Sequence, residues 1–213
     1  PVYTDNSIVR VSGEVLEYNK TNTEVVAREE IEEAKSSGKI CNYQSPNIKW
    51  FNYWKNAENG IKKGWNSSEN KWYAHSSAEG GDPTIAYGIK LSSGFLQSNE
   101  MKFMNLNDLQ NGSIGISESV AENEIITKAN NALIDIKKLI NDRFGVSYFD
   151  NIEEKYKYAM VDIYLNHGGG NFKKDTWKSF IEGAVNNDLN KMLANSNRGN
   201  TQRTKLFIDY LKS

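Results

Sequence analysis

Glu58 is the first residue whose type and position suggest chemistry. It falls in the last turn of a predicted helix, beside an apolar stripe that includes Trp54 and Ile61. The negative end of the helix dipole and these apolar neighbours both disfavour a charged carboxylate, so we expect the pKa of Glu58 to be raised. A carboxylic acid that keeps its proton near neutral pH can act as a general acid. The competing interpretation is a solvated glutamate at an ordinary helix end.

A second candidate region is the loop HSSAEGGDPTIAYG, which runs from residue 75 to 88. It carries two carboxylates, Glu79 and Asp82, with two adjacent glycines between them and Thr84 just after. Glycines allow positive φ and let a bulky ligand approach the backbone closely. A water held by a threonine beside a carboxylate, opposite a general acid, is the arrangement of inverting glycoside hydrolysis. Taken alone, the same composition also fits a polar β-turn.

Helices must position these residues, and apolar residues at helical spacing dominate the chain from residue 50 onward. Residues 65–95 interrupt it with turn residues around the apolar stretch TIAYGIKL, which favours a small β-region with a short strand. The order predicts an α+β fold with a cleft between the β-region and a larger helical lobe. The predicted apolar stripes are Trp50, Tyr53, Trp54, Ala57 and Ile61; Ile125, Ala129, Ala132, Leu133, Ile136, Leu139 and Ile140; Tyr156, Ala159, Met160, Ile163 and Tyr164; Trp177, Phe180, Ile181, Ala184 and Val185; and Leu206, Phe207, Tyr210 and Leu211.

Residues 1–46 have a different pattern from the rest of the chain. Short alternating apolar stretches favour strands, and the segment EVVAREEIEEAKSSGK then reads as a charged helix that ends at Gly38. The segment has too few large apolar residues for a core of its own. We therefore predict an N-terminal arm or attachment segment at 1–46 and a separate domain at 47–213.

Composition narrows the classes of partner. The 26 basic and 27 acidic residues give a net charge of −1, without the basic excess typical of a protein that binds duplex DNA, so we expect no nucleic-acid partner. No apolar run approaches the roughly 20 residues of a membrane span. The start, PVYTDNSIVR, lacks the basic segment followed by an apolar segment that a signal peptide has. We interpret Pro1 as the native start after removal of an initiator Met.

The cysteine and histidine content predicts no metal site, and we expect no cofactor. Cys41 is the single cysteine, which excludes an intrachain disulfide and reads as an ordinary thiol. His75 and His167 lack the spacing of a zinc site. The three glycines after His167 lack the lysine and preceding strand of a phosphate-binding loop, so they read as a turn between helices.

Several segments, in order, resemble the phage-type (T-even phage) lysozymes, glycoside hydrolase family 24. A glutamate followed by an E-G-G turn and T-I-x-x-G is similar to the family's catalytic region, and GISESVAE is similar to its inter-lobe segment. AMVDIYLNHGGGNF resembles its core helix, and NRGNTQRTKLF resembles its C-terminal stretch. The resemblance covers residues from about 48 to 213. It implies a lysozyme-like fold in which a small β-lobe lies between an N-terminal helix and a larger helical lobe.

The resemblance implies roles for the candidate residues. Glu58 matches the family's general acid, and Thr84 matches the threonine that positions the hydrolytic water. Family members place an Asp or Cys six residues before this threonine, where the present chain has Ala78. We assign the role of second carboxylate to the neighbouring Glu79, with Asp82 as the alternative.

Substrate contacts are also expected. Arg203 corresponds to the family arginine that lies against the catalytic glutamate. Leu165 and Asn166 align with positions that line the cleft. Asp82, if it is not the second carboxylate, is a substrate contact, and the Tyr87 ring either stacks on a sugar or fills the minor core of the β-lobe.

The expected function is that of a muramidase, which cleaves the β-1,4 bond between N-acetylmuramic acid and N-acetylglucosamine in bacterial peptidoglycan. The resemblance implies a phage endolysin or a virion-associated lysozyme, located in the virion or the host cytoplasm and acting on the cell wall in the periplasm. The arm at 1–46 favours attachment to other virion or tail proteins. Two alternatives remain: a catalytically silent, glycan-binding structural protein of the virion or tail, and a lytic transglycosylase, for which one glutamate suffices.

Overall fold

A computed structural model describes residues 6–11, 14–19, 47–76 and 81–213. The predicted charged helix that ends at Gly38, the thiol of Cys41 and the carboxylate of Glu79 lie outside the described residues. The described strands of the arm, β1 (Asn6–Val11) and β2 (Glu14–Asn19), form an antiparallel pair. They belong to a compact unit at 1–44 that is separate from the unit at 45–213.

Helix α1 (Ile48–Asn59) opens the second unit. Asn47 is its N-cap: the Asn47 side chain accepts a hydrogen bond from the backbone N–H of Trp50 at 3.1 Å. It ends at Asn59, just before Gly60. The predicted stripe along its buried face is wrong at Ile61, which lies beyond the helix end and is 87% exposed.

Two small antiparallel hairpins follow α1, and the described residues of each form two-residue strands. The stretch TIAYGIKL was predicted to be one strand, but the chain reverses within it. Ala86 and Gly88 have φ of 49° and 74°, and these left-handed conformations make the tight reversal. The strands are β3 (Trp65–Asn66), β4 (Lys71–Trp72), β5 (Thr84–Ile85) and β6 (Ile89–Lys90).

The remainder of the described chain is mostly helical, as the period after residue 116 predicted. Two short helices before that point were not predicted. A 3₁₀ turn at Asp175–Trp177 separates two of the later helices. The helices are α2 (Asn99–Phe103), α3 (Leu106–Gln110), α4 (Glu118–Phe144), α5 (Tyr148–Asn151), α6 (Glu154–His167), α7 (Gly169–Phe172), α8 (Lys178–Val185), α9 (Leu189–Ala194) and α10 (Thr201–Lys212).

The apolar faces of these helices meet in one core. Helix α4 packs against α6, α8 packs against α9, and α1 packs against both α6 and α10. The fold is thus mostly helical, with two small antiparallel sheets between α1 and a larger helical region, and the α+β prediction is confirmed at that level. The contacts of α1 with α6 and α10 position the site, because each of these three helices supplies a charged side chain to it.

Candidate active site

Glu58 lies in the last turn of α1 with its side chain only 16% exposed. Its Oε1 accepts a hydrogen bond from Nη1 of Arg203 at 2.5 Å. Arg203 stands in the first turn of α10, and the side chain of the N-cap residue Asn200 accepts from the backbone N–H of Arg203 at 3.0 Å. The structure therefore brings together the glutamate and the arginine that the resemblance paired, although 145 residues separate them.

Arg203 joins Glu58 to a second, more deeply buried carboxylate. Its Nη2 donates to Oδ1 of Asp162 at 2.8 Å, and Nη2 of Arg198 lies 2.7 Å from the other carboxylate oxygen, Oδ2. The side chains of Asp162 and Arg198 are fully buried. We call these four residues, Glu58, Arg203, Asp162 and Arg198, the acid cluster.

Aromatic side chains enclose the acid cluster. The hydroxyl of Tyr53 donates to Oδ1 of Asp162 at 3.2 Å. The guanidinium carbon of Arg203 lies 5.6 Å from the centre of a Trp54 ring, and that of Arg198 lies 4.9 Å from the centre of the Phe207 ring. Cations over aromatic faces are stabilised by the ring quadrupole, so the two arginines keep their charge without much water.

The surroundings change the pKa of Glu58 in opposing ways. Burial raises the pKa, the charge and hydrogen bond of Arg203 lower it, Asp162 raises it, and Arg198 lowers it. Burial prevails, and the pKa of Glu58 lies above its ordinary value. For Arg203, burial by itself lowers the pKa, but the charges of Asp162 and Glu58 outweigh this and raise it. Each of the two groups therefore keeps its proton to higher pH than it would in water.

Asn59 links the end of α1 to the β5–β6 hairpin by side-chain hydrogen bonds. Its buried side-chain amide donates to the carbonyl oxygen of Ala86 at 2.7 Å and to that of Lys63 at 2.9 Å. Its Oδ1 accepts from the backbone N–H of Lys63 at 2.8 Å. These bonds hold the turn of the hairpin against the helix end that carries Glu58.

Gly88 is the point where the hairpin meets Glu58. A Cβ atom at this position would lie 2.5 Å from Oε2 of Glu58, far inside van der Waals contact. The φ of 74° is also one that residues with a side chain rarely adopt. Any other residue at this position would require the Glu58 carboxyl group to move.

Thr84, the predicted water-positioning residue, begins β5 and is partly buried. Its Oγ1 lies 3.3 Å from Nδ1 of His75, and the two residues exchange backbone hydrogen bonds of 2.8 and 2.9 Å. His75 was not among the predicted site residues. No sequence signal places it beside Thr84, because the contact depends on the bridge between two separate segments.

Asp82 lies on the surface, with its side chain 44% exposed. Its Oδ2 is 3.4 Å from Nζ of Lys90 on β6. Glu79, the other candidate for the second carboxylate, is not among the described residues. The choice between these two residues therefore stays as the sequence left it.

Tyr87 occupies the core of the β-region rather than its surface. Its ring is 5% exposed and packs against Trp72, with the ring centres 5.2 Å apart. Its hydroxyl donates to Oε1 of Glu118 at the start of α4. Of the two expectations for Tyr87, this location matches the core residue and leaves almost no ring surface for stacking.

Leu165 and Asn166 stand near the C-terminal end of α6. Leu165 is partly buried against the core. Asn166 is exposed, and its Nδ2 donates to the backbone oxygen of Asp162 at 2.8 Å and to Oδ1 of the same residue at 3.3 Å. Asn166, a predicted substrate contact, is thus hydrogen-bonded to a member of the acid cluster.

Asp162 and Arg198 were absent from the predicted site. A signal for Asp162 was available, because it interrupts the otherwise apolar run AMVDI in a helix whose neighbouring positions are buried. A carboxylate in such a position must be paired. Its partner could not be read from the sequence, since Arg198 lies 36 residues away in an irregular segment.

Comparisons with family models, with curated proteins and with solved structures found no match. In the described ranges, no helix combines the length and the apolar character needed to cross a bilayer. Those ranges also contain no group of three or more His, Cys, Asp or Glu side chains arranged to hold a metal ion.

Proposed function

We propose that this protein is a muramidase with a lysozyme-like domain, which cleaves the β-1,4 bond between N-acetylmuramic acid and N-acetylglucosamine in peptidoglycan. The observation that carries the proposal is the Glu58 carboxyl group: it is largely buried, its pKa is raised, and Arg203 orients it. A glycosidase needs such an acid to protonate the leaving oxygen of the bond it breaks.

The geometry around Glu58 suits proton donation. One oxygen is held by Arg203, and the other lies beneath the backbone of Gly88 at the edge of the β-region. Burial makes the charged form costly, so Glu58 keeps its proton to higher pH than an exposed glutamate does, and a substrate oxygen can accept that proton. A carboxyl group fixed by a guanidinium also loses little freedom when the reaction begins.

The opposite side of the reaction is assigned to the β5–β6 hairpin. In an inverting hydrolysis, a carboxylate and Thr84 would hold the water that attacks the anomeric carbon. Glu79 takes the role of that carboxylate, with Asp82 as the alternative. No cofactor enters this reaction.

One observation favours a lytic transglycosylase as the second candidate. Asp82, the described carboxylate in this loop, is engaged by Lys90 on the surface. A transglycosylase needs only the acid and no carboxylate to activate water, since the substrate's own hydroxyl attacks and forms a 1,6-anhydro sugar. The acid cluster serves either reaction equally well.

The decisive experiment is digestion of purified peptidoglycan by the wild type and by Glu58→Gln. The variant keeps the shape of the side chain but has no proton to give, and we expect lysis to fall by at least about 100-fold. Glu182→Gln, which alters a surface pair with Lys191, is the matched control and should lyse walls normally.

Mass analysis of the released muropeptides separates the reaction classes. Reducing ends support hydrolysis, and 1,6-anhydro ends support the transglycosylase. Cleavage by Glu58→Gln at the wild-type rate would contradict both. No cleavage by the wild type would favour a silent glycan-binding structural protein.

The biological setting follows from the same proposal. A phage endolysin, or a lysozyme carried by the virion, would act on the host cell wall in the periplasm. Residues 1–46 would serve for attachment to other virion or tail proteins. Mass spectrometry of purified particles distinguishes these two settings.

A further inference from the structure

Asp162 is a fully buried carboxylate that the proposed reaction does not use. It lies between two guanidinium groups, with Oδ1 2.8 Å from Arg203 and Oδ2 2.7 Å from Arg198. Arg203 binds Glu58 through its other terminal nitrogen. One guanidinium therefore serves two carboxyl groups at once, and only one of them, Glu58, is partly exposed.

Glu58 is subject to two opposing requirements, and this arrangement reconciles them. A guanidinium close to a carboxyl group favours its charged form. A general acid needs the uncharged form. Arg203 orients Glu58 but also lowers its pKa, and the positive charge of Arg198 lowers it further. Asp162 is the negative charge that opposes them.

We propose that Asp162 is a positioning residue of the acid: by sharing Arg203 with Glu58 and neutralising Arg198, it lets the arginine orient Glu58 without forcing that carboxyl group to ionise. The inference rests on the proposed function, because it explains how one residue can be both held by an arginine and available as a proton donor. Asp162 touches no reacting atom in this scheme. It acts through Arg203.

The signs of the effects follow from the groups that reach Glu58. Removal of a negative charge should make Glu58 ionise more readily, and removal of a positive charge should make it ionise less readily. Near the hairpin, Asp82 and Lys90 pair with each other 3.4 Å apart. The charges that act on Glu58 are those of Arg203 on α10, Asp162 on α6 and Arg198 before α10. Tyr53 on α1 donates its hydroxyl hydrogen bond to Asp162.

The test compares Asp162→Asn with Arg198→Met. For each variant, the titration midpoint of the Glu58 carboxyl carbon is measured by NMR, and the alkaline limb of the lytic activity is measured against pH. We expect both quantities to move to lower pH in Asp162→Asn and to higher pH in Arg198→Met, each by about one pH unit. A role limited to stability would not move them in opposite directions.

Asp162→Asn leaves Arg198 buried without a carboxylate partner, so this variant is the one at greatest risk of misfolding. The double variant, Asp162→Asn with Arg198→Met, removes both charges. Its midpoint should lie below that of Arg198→Met alone and close to that of the wild type. The sign of the Asp162 effect is thereby measured even if the single variant does not fold.

Glu124→Gln is the matched control. Glu124 is fully buried and lies 3.4 Å from Lys128, so its replacement also disturbs a buried ion pair. We expect it to lower stability without moving the titration of Glu58. The inference is overturned if Glu124→Gln moves the midpoint as much as the cluster variants do, if both single variants move it in one direction, or if the Arg198→Met and double variants share the same midpoint.

Failure of the inference is distinguishable from failure of the proposed function. The NMR titration needs no substrate and reports on the cluster whether or not the protein cleaves glycan. Opposite shifts without lytic activity would support the role of Asp162 and contradict the muramidase proposal. Lytic activity with an unmoved midpoint in all variants would contradict the role of Asp162 and support the muramidase proposal.

Discussion

The acid cluster and the β5–β6 hairpin both contain a carboxyl group paired with a cation, but in opposite environments. Glu58 is 16% exposed and is bound by Arg203 at 2.5 Å, whereas Asp82 is 44% exposed and lies 3.4 Å from Lys90. A buried pair fixes geometry and alters protonation, because little water screens the charges. A surface pair contributes at most about 1 kcal/mol to stability. For these two carboxyl groups, burial is what distinguishes the candidate acid from the surface ion pair.

The largest effect is expected where the two regions touch, at Gly88. In Gly88→Ala the new Cβ would lie 2.5 Å from Oε2 of Glu58, on a backbone with φ of 74°. We expect a loss of stability of about 1–2 kcal/mol from the left-handed backbone, to which displacement of the Glu58 carboxyl group adds. Because the Glu58 carboxyl must move, activity should fall on the order of 100-fold. Urea unfolding and lysis assays measure the two effects.

Gly94→Ala is the control for this variant. Gly94 has a similar φ of 81°, but a Cβ atom there would meet nothing within 4 Å. It should show only the cost of the left-handed backbone, about 1 kcal/mol, and keep its activity. Equal losses of activity in the two variants would mean that the contact between the hairpin and Glu58 has no functional role.

A smaller effect is expected at Asp82. Removing its charge in Asp82→Asn breaks a surface pair, so stability should change by about 0.5 kcal/mol or less. Activity decides the open choice of second carboxylate: if Glu79 holds the water, Glu79→Gln abolishes lysis while Asp82→Asn retains most of it. Asp150→Asn, which breaks a comparable surface pair with Lys137, controls for loss of a surface charge. The opposite ranking would assign the role to Asp82.

Periodicity predicted the long helices because each presents an apolar stripe to one core. It missed α2 and α3, which are five residues long and too short to show a period. Ser98 and Asn105 are of the residue types preferred at helix N-caps. In the structure their side chains accept backbone hydrogen bonds at the starts of α2 and α3. Local capping signals predict such helices better than a hydrophobic pattern does.

The candidate site was predictable only in part. Glu58 was predicted from its position at a helix end and from the resemblance, Arg203 from the resemblance alone, and the structure places the two in contact. Asp162 was visible as a charge inside an apolar helix, but its pairing with Arg198 depends on tertiary contacts between distant segments. The linking role of Asn59 likewise depends on the carbonyl group of Ala86 across the helix–hairpin contact, which no spacing in the sequence encodes.

The most direct measurement is the pH titration of the Glu58 carboxyl carbon by NMR in the folded wild type, with the resonance assigned by its absence in Glu58→Gln. Burial is expected to prevail over Arg203, so the midpoint should lie above that of an ordinary glutamate. The proton would then be retained at higher pH than in an exposed glutamate, and the alkaline limb of lysis should follow the same group. A midpoint at or below the ordinary value would contradict the assignment of Glu58 as a protonated acid.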